Sequence, residues 1–103
     1  MGFDADKEFH KHLELAKEKG DHMALAFALE ESKENKKYEK YINEFKKNPL
    51  YKKILLKSLK RFREIVKDKE KIMQNIDKDY YLESKKKLML LEREAKKIKL
   101  KIN

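Results

Sequence analysis

The chain has 103 residues and carries 28 lysine and arginine residues against 19 acidic ones, a formal net charge of +9. Glycine occurs twice, proline once and cysteine nowhere, while charged residues make up 46% of the chain; this composition is typical of an almost entirely helical protein and excludes disulfides, thiolate metal sites and cysteine nucleophiles. This composition and the length of the chain predict a single all-α domain over residues 1–103. No segment approaches the roughly 18 apolar residues of a membrane helix, so we expect the protein in the cytoplasm.

The N-terminal region predicts a helix over residues 4–19. Asp4 or Asp6 is suited to cap its first turn, because an aspartate side chain accepts hydrogen bonds from the free backbone N–H groups. The apolar residues of this helix recur at i, i+4 and i+7 and share one face: Phe9, Leu13 and Ala16. Gly20 favours the left-handed conformation in which many helices end, and Asp21 is placed to cap the next helix.

Residues 21–47 predict further helical segments with a break near residues 30–37. The run EESKENKK in that interval contains no apolar residue, so two helical turns would have no side chain to bury. Ser32 or Asn35 is suited to cap a new helix after the break. Beyond it, four apolar and aromatic residues form one stripe at helical spacing: Tyr38, Tyr41, Ile42 and Phe45.

A long helix is predicted from Pro49 to about Ile76. Asn48 followed by Pro49 is an N-cap with proline at the first helical position, and the residue before a proline disfavours helix, so the preceding helix should end by Lys47. Lys69 occupies one position of the core face of the long helix. Its other members are Leu55, Leu59, Phe62, Val66 and Met73.

A second long helix is predicted over about residues 80–102, after a turn in which Asp77 and Asp79 are candidate caps. Its apolar residues repeat at 3-4-3-4 spacing, as in a coiled coil: Leu88, Leu91, Ala95, Ile98 and Ile102. Two long helices joined by a short turn should pack antiparallel as a hairpin over residues 49–102. Because thin charged helices bury only a modest core, we expect a homo-oligomer, a dimer or larger, to complete this helical bundle.

Charge is distributed unevenly along the chain. Residues 1–48 carry 10 basic and 11 acidic residues, whereas residues 49–103 carry 18 basic and 8 acidic ones, so the predicted hairpin holds a net charge of +10 (18 minus 8). Such a surface attracts phosphate polyanions without reading their sequence. One hypothesis is therefore a nucleic-acid-binding module, with these basic residues at its surface: Lys57, Lys60, Arg61, Arg63, Lys85, Lys86, Lys87, Lys96 and Lys97. The alternative is that lysine merely solvates the helices; membrane binding is not expected, since packing occupies the helix faces.

The aromatic stripe supports a second hypothesis, a protein that acts by binding other proteins. Tyrosine and phenylalanine at helical spacing are typical of a core or a subunit interface, where a tyrosine hydroxyl can stay in contact with water. Stacking of the same rings on single-stranded bases is the less favoured alternative. The residues predicted to be buried in an oligomer or partner interface are Tyr38, Tyr41, Phe45 and Leu55.

An enzyme is not expected. The carboxylates alternate with lysines at helix-surface spacing, which indicates charge pairing, and two glycines at positions 2 and 20 cannot build a nucleotide-binding loop. Histidines occur at His10, His12 and His22 without a recognised ligand spacing. His10, Glu14 and His22 are the conceivable metal ligands, but exposed histidines are the expected case, and no metal, cofactor or catalytic residue is predicted.

The segment LAFALEESKENKKYEKYINEFKKNPLYKKIL resembles the YlbF/YmcA/YheA family of small helical bacterial regulatory proteins. The resemblance lies in an Ala/Leu helix with a serine turn, a Tyr-x-x-Tyr pair, an Asn-Pro step and a long helix. These residues match the pattern: Ala26, Leu29, Ser32, Tyr38, Tyr41, Phe45, Asn48, Pro49 and Ile54. IDKDYYLESKKKLMLLERE is similar to the second long helix of the family, and the whole resemblance covers residues 23–100.

This resemblance implies a non-enzymatic, self-associating, cytoplasmic protein. Members of the family are linked to competence, sporulation and biofilm formation, and some act in a complex that adjusts RNA processing by the membrane-tethered ribonuclease Y. The helix predicted over residues 4–19 is additional to the family pattern. Because the chain lacks cysteine, the iron–sulfur clusters that some members bind are not expected here.

Overall fold

The computed structural model of the chain describes residues 4–71 and 78–99, and the fold of this part is an all-helical bundle. It contains five α-helices and a short 3₁₀ turn, Lys36–Tyr38, which precedes the third helix. The helices are α1 (Ala5–Lys19), α2 (His22–Glu34), α3 (Glu39–Lys46), α4 (Pro49–Lys71) and α5 (Lys78–Lys97). The prediction of an all-α fold is confirmed.

The predicted boundary of the first two helices is confirmed at each residue that marks it. The Asp4 side chain accepts a hydrogen bond from the backbone N–H of Lys7 and caps α1. Gly20 ends α1 with a left-handed backbone (φ 64°). The Asp21 side chain then accepts from the N–H groups of Met23 and Ala24 at 3.0 and 3.1 Å, so it satisfies two of the free donors at the start of α2.

The predicted break in residues 30–37 occurs late in that interval, at Asn35. The Asn35 side chain accepts from the N–H of Lys37 and starts the 3₁₀ turn. Helix α2 nevertheless continues to Glu34, and Ser32 lies inside it. The prediction that this run has no buried contact was wrong, because Ser32 is buried and its hydroxyl donates to the carbonyl of Leu29 at 2.7 Å.

The Asn-Pro step acts as predicted at the start of α4. The Asn48 side chain accepts from the N–H of Leu50 at 3.0 Å, and Pro49 is the first helical residue. Asp79 lies in the first turn of α5 rather than before it. Met73, Asp77 and Ile102, and the side chain of Lys69, lie outside what the structure describes.

Helix α2 occupies the centre of the bundle and contacts the other four helices, while α4 also packs along α5. Three alanines of α2 are buried, namely Ala24, Ala26 and Ala28. Because these side chains are short, neighbouring helices can approach α2 closely. Leu25 and Leu29 of the same helix are fully buried. Full burial of a leucine side chain contributes about 1.5–3 kcal/mol to the stability of the fold.

The core is one cluster to which every helix contributes. The predicted core residues of α1 and α4 are all buried where they are described: Phe9, Leu13, Ala16, Leu55, Leu59, Phe62 and Val66. In α5, Leu91 and Ala95 are buried, whereas Leu88 and Ile98 are only partly buried against the cluster. The chain thus builds a core of its own from the described helices.

Candidate interaction surfaces

The aromatic stripe predicted as an interface lies mostly in the core of the chain itself. Tyr38, Phe45 and Leu55 are buried, and the ring of Tyr38 stacks on that of Phe9 with centroids 4.2 Å apart. Three of the four predicted interface residues are therefore unavailable to a partner in this fold. Tyr41 alone remains half-buried, with the His10 ring edge-on to it at 4.8 Å.

Contacts from helix α1 explain why this stripe is covered. Phe9 covers the Tyr38 ring, and the Tyr38 hydroxyl donates a hydrogen bond to the Asp6 carboxylate, which also pairs with Lys37 at 2.8 Å. These contacts raise the pKa of Tyr38 to about 12, first through the hydrogen bond to Asp6. They lower the pKa of Asp6, first through Lys37 and then through Tyr38.

A buried carboxylate, Glu94, forms a polar centre between three helices. Its side chain is 1% exposed, and three lysine ammonium groups surround it. Lys46 on α3 lies 3.0 Å from Glu94 Oε1, while Lys97 on α5 and Lys33 on α2 lie 2.9 and 3.4 Å from Oε2. Both Oε2 contacts are close ion pairs.

The electrostatics of this centre follow from burial and from the lysines. Burial by itself would raise the pKa of Glu94, but Lys97, Lys46 and Lys33 outweigh it and lower that pKa below its ordinary value. The Tyr51 hydroxyl nearby is fully buried and has no hydrogen-bond partner within residues 4–71 and 78–99. Burial, and then the negative charge of Glu94, raises the pKa of Tyr51. The arrangement fixes a charge within the bundle, and both groups resist changing protonation at neutral pH.

The position of Lys87 contradicts its assignment to the predicted nucleic-acid surface. It was expected on the polar face, but it is nearly buried, and its ammonium group pairs with Glu30 at 3.2 Å and with Glu83 at 3.6 Å. The same nitrogen lies 5.1 Å from the ring centre of Phe27. Since two carboxylates and an aromatic ring already contact its ammonium group, Lys87 is not available to pair with a phosphate.

Three more of the nine predicted basic residues are paired with carboxylates. Arg63 lies 3.4 Å from Glu92, Arg61 lies 3.8 Å from Glu64, and Lys97 belongs to the Glu94 centre. The remaining five are exposed and make no ion pair within residues 4–71 and 78–99: Lys57, Lys60, Lys85, Lys86 and Lys96. The structure therefore leaves about half of the predicted basic surface available.

Helix α5 exposes three large hydrophobic side chains, Tyr80, Leu82 and Met89, and the sequence predictions included neither Leu82 nor Met89. Leu82 is 58% exposed and Met89 is 56% exposed. They fall on one line with exposed basic residues at 4-3-4-3 spacing, and we call this line the α5 stripe: Leu82, Lys86, Met89, Arg93 and Lys96. The same period is present in the sequence along the more apolar seam from Leu88 to Ile102, so periodicity favours that seam over the stripe.

A cavity of about 290 Å³ opens beside the α5 stripe, between α2 and α5. Met89 and Leu90 supply its apolar surface, and Lys86 and Arg93 belong to both the cavity and the stripe. On the α2 side it is lined by Glu30, Lys33 and Glu34. The stripe and the cavity therefore form one continuous surface with an apolar centre and a charged rim.

The histidines occupy three different settings. His10 is exposed, as expected, but His12 is half-buried, with Nδ1 2.8 Å from Glu31 and its ring stacked on Phe27. The backbone carbonyl of His22 accepts a hydrogen bond from Ser58. In the described part of the chain, no group of three or more potential ligand residues is placed to hold a metal ion. Nor does any helix there have the length and apolar character needed to cross a membrane.

Comparison with known proteins adds no relative to these observations. No family model, no curated protein and no solved structure matches the chain. The resemblance to the YlbF/YmcA/YheA family therefore stays a prediction that depends on the residues quoted for it. The function is therefore inferred from the surfaces described above.

Proposed function

We propose that the chain is a non-enzymatic regulatory adaptor that acts by binding another protein. The observation that supports this most directly is the exposure of Leu82 and Met89 on the outer surface of α5. Single exposed apolar residues are normal on a protein surface, but these two lie one heptad apart on one line, and Met89 also lines a cavity with an apolar centre. Burial of both against a partner would remove that apolar area from water.

Self-association and the hairpin architecture belong to the same proposal. Packing of α4 along α5 and the pair between Arg63 and Glu92 support an antiparallel hairpin over residues 49–102. An oligomer would have to use a surface other than the aromatic stripe, because Tyr38, Phe45 and Leu55 are already covered within the chain. The proposal also includes a cytoplasmic location and a link to RNA processing, and both of these are implied by the family resemblance.

The experiment that tests the adaptor function is affinity capture from a cell lysate with three versions of the chain. The first is the unchanged protein, the second carries Leu82→Ser and Met89→Ser, and the third carries Lys11→Ser and Glu14→Ser on the exposed face of α1 as a charge-neutral control. We expect a discrete partner with the first and third proteins and its loss with the second.

Two outcomes would contradict this expectation. Recovery of no protein above the level of a blank resin would argue against an adaptor. Equal recovery by the second and third proteins would place binding elsewhere and remove the exposure of Leu82 and Met89 as support. Circular dichroism of all three proteins establishes that each variant remains helical.

A second candidate function, nucleic-acid binding, is supported by the free lysines of α4. Lys57 and Lys60 are exposed on α4 and make no ion pair among the described residues. This candidate predicts that a single-stranded RNA adds mass to the protein in light scattering at low salt and dissociates at high salt. The logarithm of affinity should fall with a slope of about −0.7 per neutralised phosphate, and Lys57→Glu with Lys60→Glu should abolish the complex. An unchanged mass at low salt would remove this candidate.

A further inference from the structure

We propose that the α5 stripe and the adjoining cavity bind an acidic amphipathic helix of the partner protein. This inference rests on the proposed adaptor function and deepens it, since it specifies the chemistry of the partner. It is carried by the spacing of the stripe, by its uncompensated charge and by the apolar centre of the cavity. The stripe and the cavity share Lys86, Met89 and Arg93, so the three features describe one surface.

The spacing of the stripe fits a helix lying alongside α5. Its five residues repeat at 4-3-4-3, a mean period of 3.5 residues, which keeps one line of side chains facing a neighbouring helix. From Leu82 to Lys96 the stripe extends for about 21 Å, at 1.5 Å per residue. A partner helix of four to five turns would cover that length, and its apolar residues would meet Leu82 and Met89.

The charge of the stripe determines which helix can bind there. Lys86, Arg93 and Lys96 alternate with the two apolar residues, and none of them pairs with a carboxylate in the described part of the chain. A second copy of α5 would place lysine and arginine against lysine and arginine along the same line, which is repulsive. A partner with Glu or Asp at the facing positions would instead form ion pairs at the edge of an apolar contact.

The cavity gives the partner a place to insert a side chain. Its volume of about 290 Å³ lies near the lower end of the range for ligand pockets, about 300 Å³. Met89 and Leu90 form its apolar part, Lys86 and Arg93 line it on the α5 side, and Glu30, Lys33 and Glu34 line it on the α2 side. An apolar side chain of the partner would be enclosed there, and carboxylates one turn before and after it would reach Lys86 and Arg93 along α5, away from the glutamates of α2.

A polyanion or an anionic membrane explains fewer of these features. Phosphates would pair with the basic residues but would leave Leu82 and Met89 without an apolar contact. A helix that lies in a membrane surface presents a broad apolar face, whereas the stripe offers only those two residues, separated by Lys86. A helical protein partner accounts for both the apolar and the basic positions.

The test uses a fluorescent synthetic peptide about 18 residues long, which spans the stripe. Leucine and glutamate alternate in it at 4-3-4-3 spacing, with alanine and glutamine elsewhere. The control peptide has the same composition in an order that destroys the spacing. Fluorescence anisotropy with the full chain should show binding of the first peptide at least tenfold tighter than binding of the second.

Charge-reversal variants test the basic residues of the stripe against a matched control. Lys86→Glu with Arg93→Glu should weaken binding of the peptide at least tenfold, and a peptide with lysine in place of glutamate should bind this variant. Lys57→Glu with Lys60→Glu makes the same change in net charge on α4, away from the stripe, and should weaken binding less than threefold. Circular dichroism monitors the fold of each variant.

Several results would overturn the inference. Equal binding of the two peptides would show attraction by charge alone. Tighter binding of a single-stranded RNA or of phosphatidylserine vesicles, with the same dependence on Lys86 and Arg93, would assign the stripe to a polyanion or a membrane. If the peptide fails to bind while capture of a lysate partner still depends on Leu82 and Met89, the adaptor function stands and the acidic-helix partner is wrong.

Discussion

The Glu94 carboxylate is held inside the bundle by ammonium groups that reach it from α2, α3 and α5 itself. Removal of one member of a buried ion pair costs about 3–5 kcal/mol, because the remaining charge loses its partner. The three lysines are partly exposed and retain some hydration, which reduces this cost. Glu94 therefore acts as a polar anchor that fixes how three helices meet.

Replacement of Glu94 by glutamine should lower the free energy of unfolding by about 2 kcal/mol at neutral pH. For a domain of this size, that corresponds to a fall in Tm of about 10 °C. Glu92→Gln is the matched control, because Glu92 pairs with Arg63 at the surface and such pairs contribute less than about 1 kcal/mol. Thermal unfolding followed by circular dichroism measures both, and equal losses would contradict a special role for Glu94.

The same substitution should change how stability depends on acid. The pKa of Glu94 is below its ordinary value of 4.5 in the folded chain, so its contribution is present above pH 4.5 and is lost as the pH falls through the folded pKa. The unchanged protein should lose stability below pH 4.5 more steeply than Glu94→Gln. The Asp6 carboxyl, whose pKa is also lowered, should leave a residual slope in the variant. Parallel profiles in urea unfolding would contradict this assignment.

Tyr51 and Tyr38 should respond oppositely to loss of the hydroxyl. The Tyr51 hydroxyl is buried without a hydrogen-bond partner in the described part of the chain, a situation that costs about 1–3 kcal/mol, so Tyr51→Phe should raise the free energy of unfolding by about 1 kcal/mol. Tyr38→Phe removes the hydrogen bond to Asp6 and should lower it slightly. Urea unfolding of the two variants decides the signs, and destabilisation by Tyr51→Phe would indicate a hydrogen bond that the fold does not show.

At the scale of single elements, the backbone of Gly20 sets the turn between α1 and α2. Its φ of 64° lies in the left-handed region, and a Cβ added there would meet no atom within 4 Å. Gly20→Ala should therefore destabilise the chain by about 1–2 kcal/mol through backbone strain alone. Gly20→Asn should cost less, since asparagine adopts this conformation more readily. Thermal unfolding of the pair tests the order, and equal losses would point to a cause other than the backbone.

The boundaries of the elements were predictable because short-range chemistry determines them. Asp4, Gly20, Asp21, Asn48 and Pro49 act on backbone groups no more than five residues away, so the chain around each of them suffices to identify a cap or a stop. The apolar faces were predictable for a similar reason, since the helical period places such residues on one side.

Long-range polar contacts were not predictable in this way. Glu94 and Lys87 belong to residue types that are almost always exposed, and only the three-dimensional fold shows which partners compensate their burial. Phe9 covers Tyr38 although the two residues are 29 positions apart in sequence. The aromatic stripe that was predicted to form an interface is therefore part of the core. The α5 stripe was not predictable from apolar periodicity, because three of its five residues are basic and only Leu82 and Met89 are apolar.

At the scale of the whole molecule, the excess of positive charge lies in residues 49–103, which contain 18 basic and 8 acidic residues. Exposed lysines on α4 and α5 repel one another, whereas the Glu94 centre is buried and is screened little by salt. Surface pairs such as Arg61 with Glu64 weaken in salt, but each contributes little. Repulsion should therefore dominate the response of the fold to ionic strength.

This balance predicts that salt stabilises the chain. Raising sodium chloride from about 0.01 M to about 0.15 M shortens the screening length from about 30 Å to about 8 Å, which should raise Tm by a few degrees. Lys57→Gln with Lys60→Gln already relieves part of the repulsion on α4 and should show a smaller rise, whereas Lys46→Gln removes an attraction to Glu94 and should not. Calorimetric unfolding of the three proteins at both salt concentrations measures the difference. A fall in Tm with salt would mean that ion pairs, rather than the lysine excess, dominate the electrostatics of the bundle.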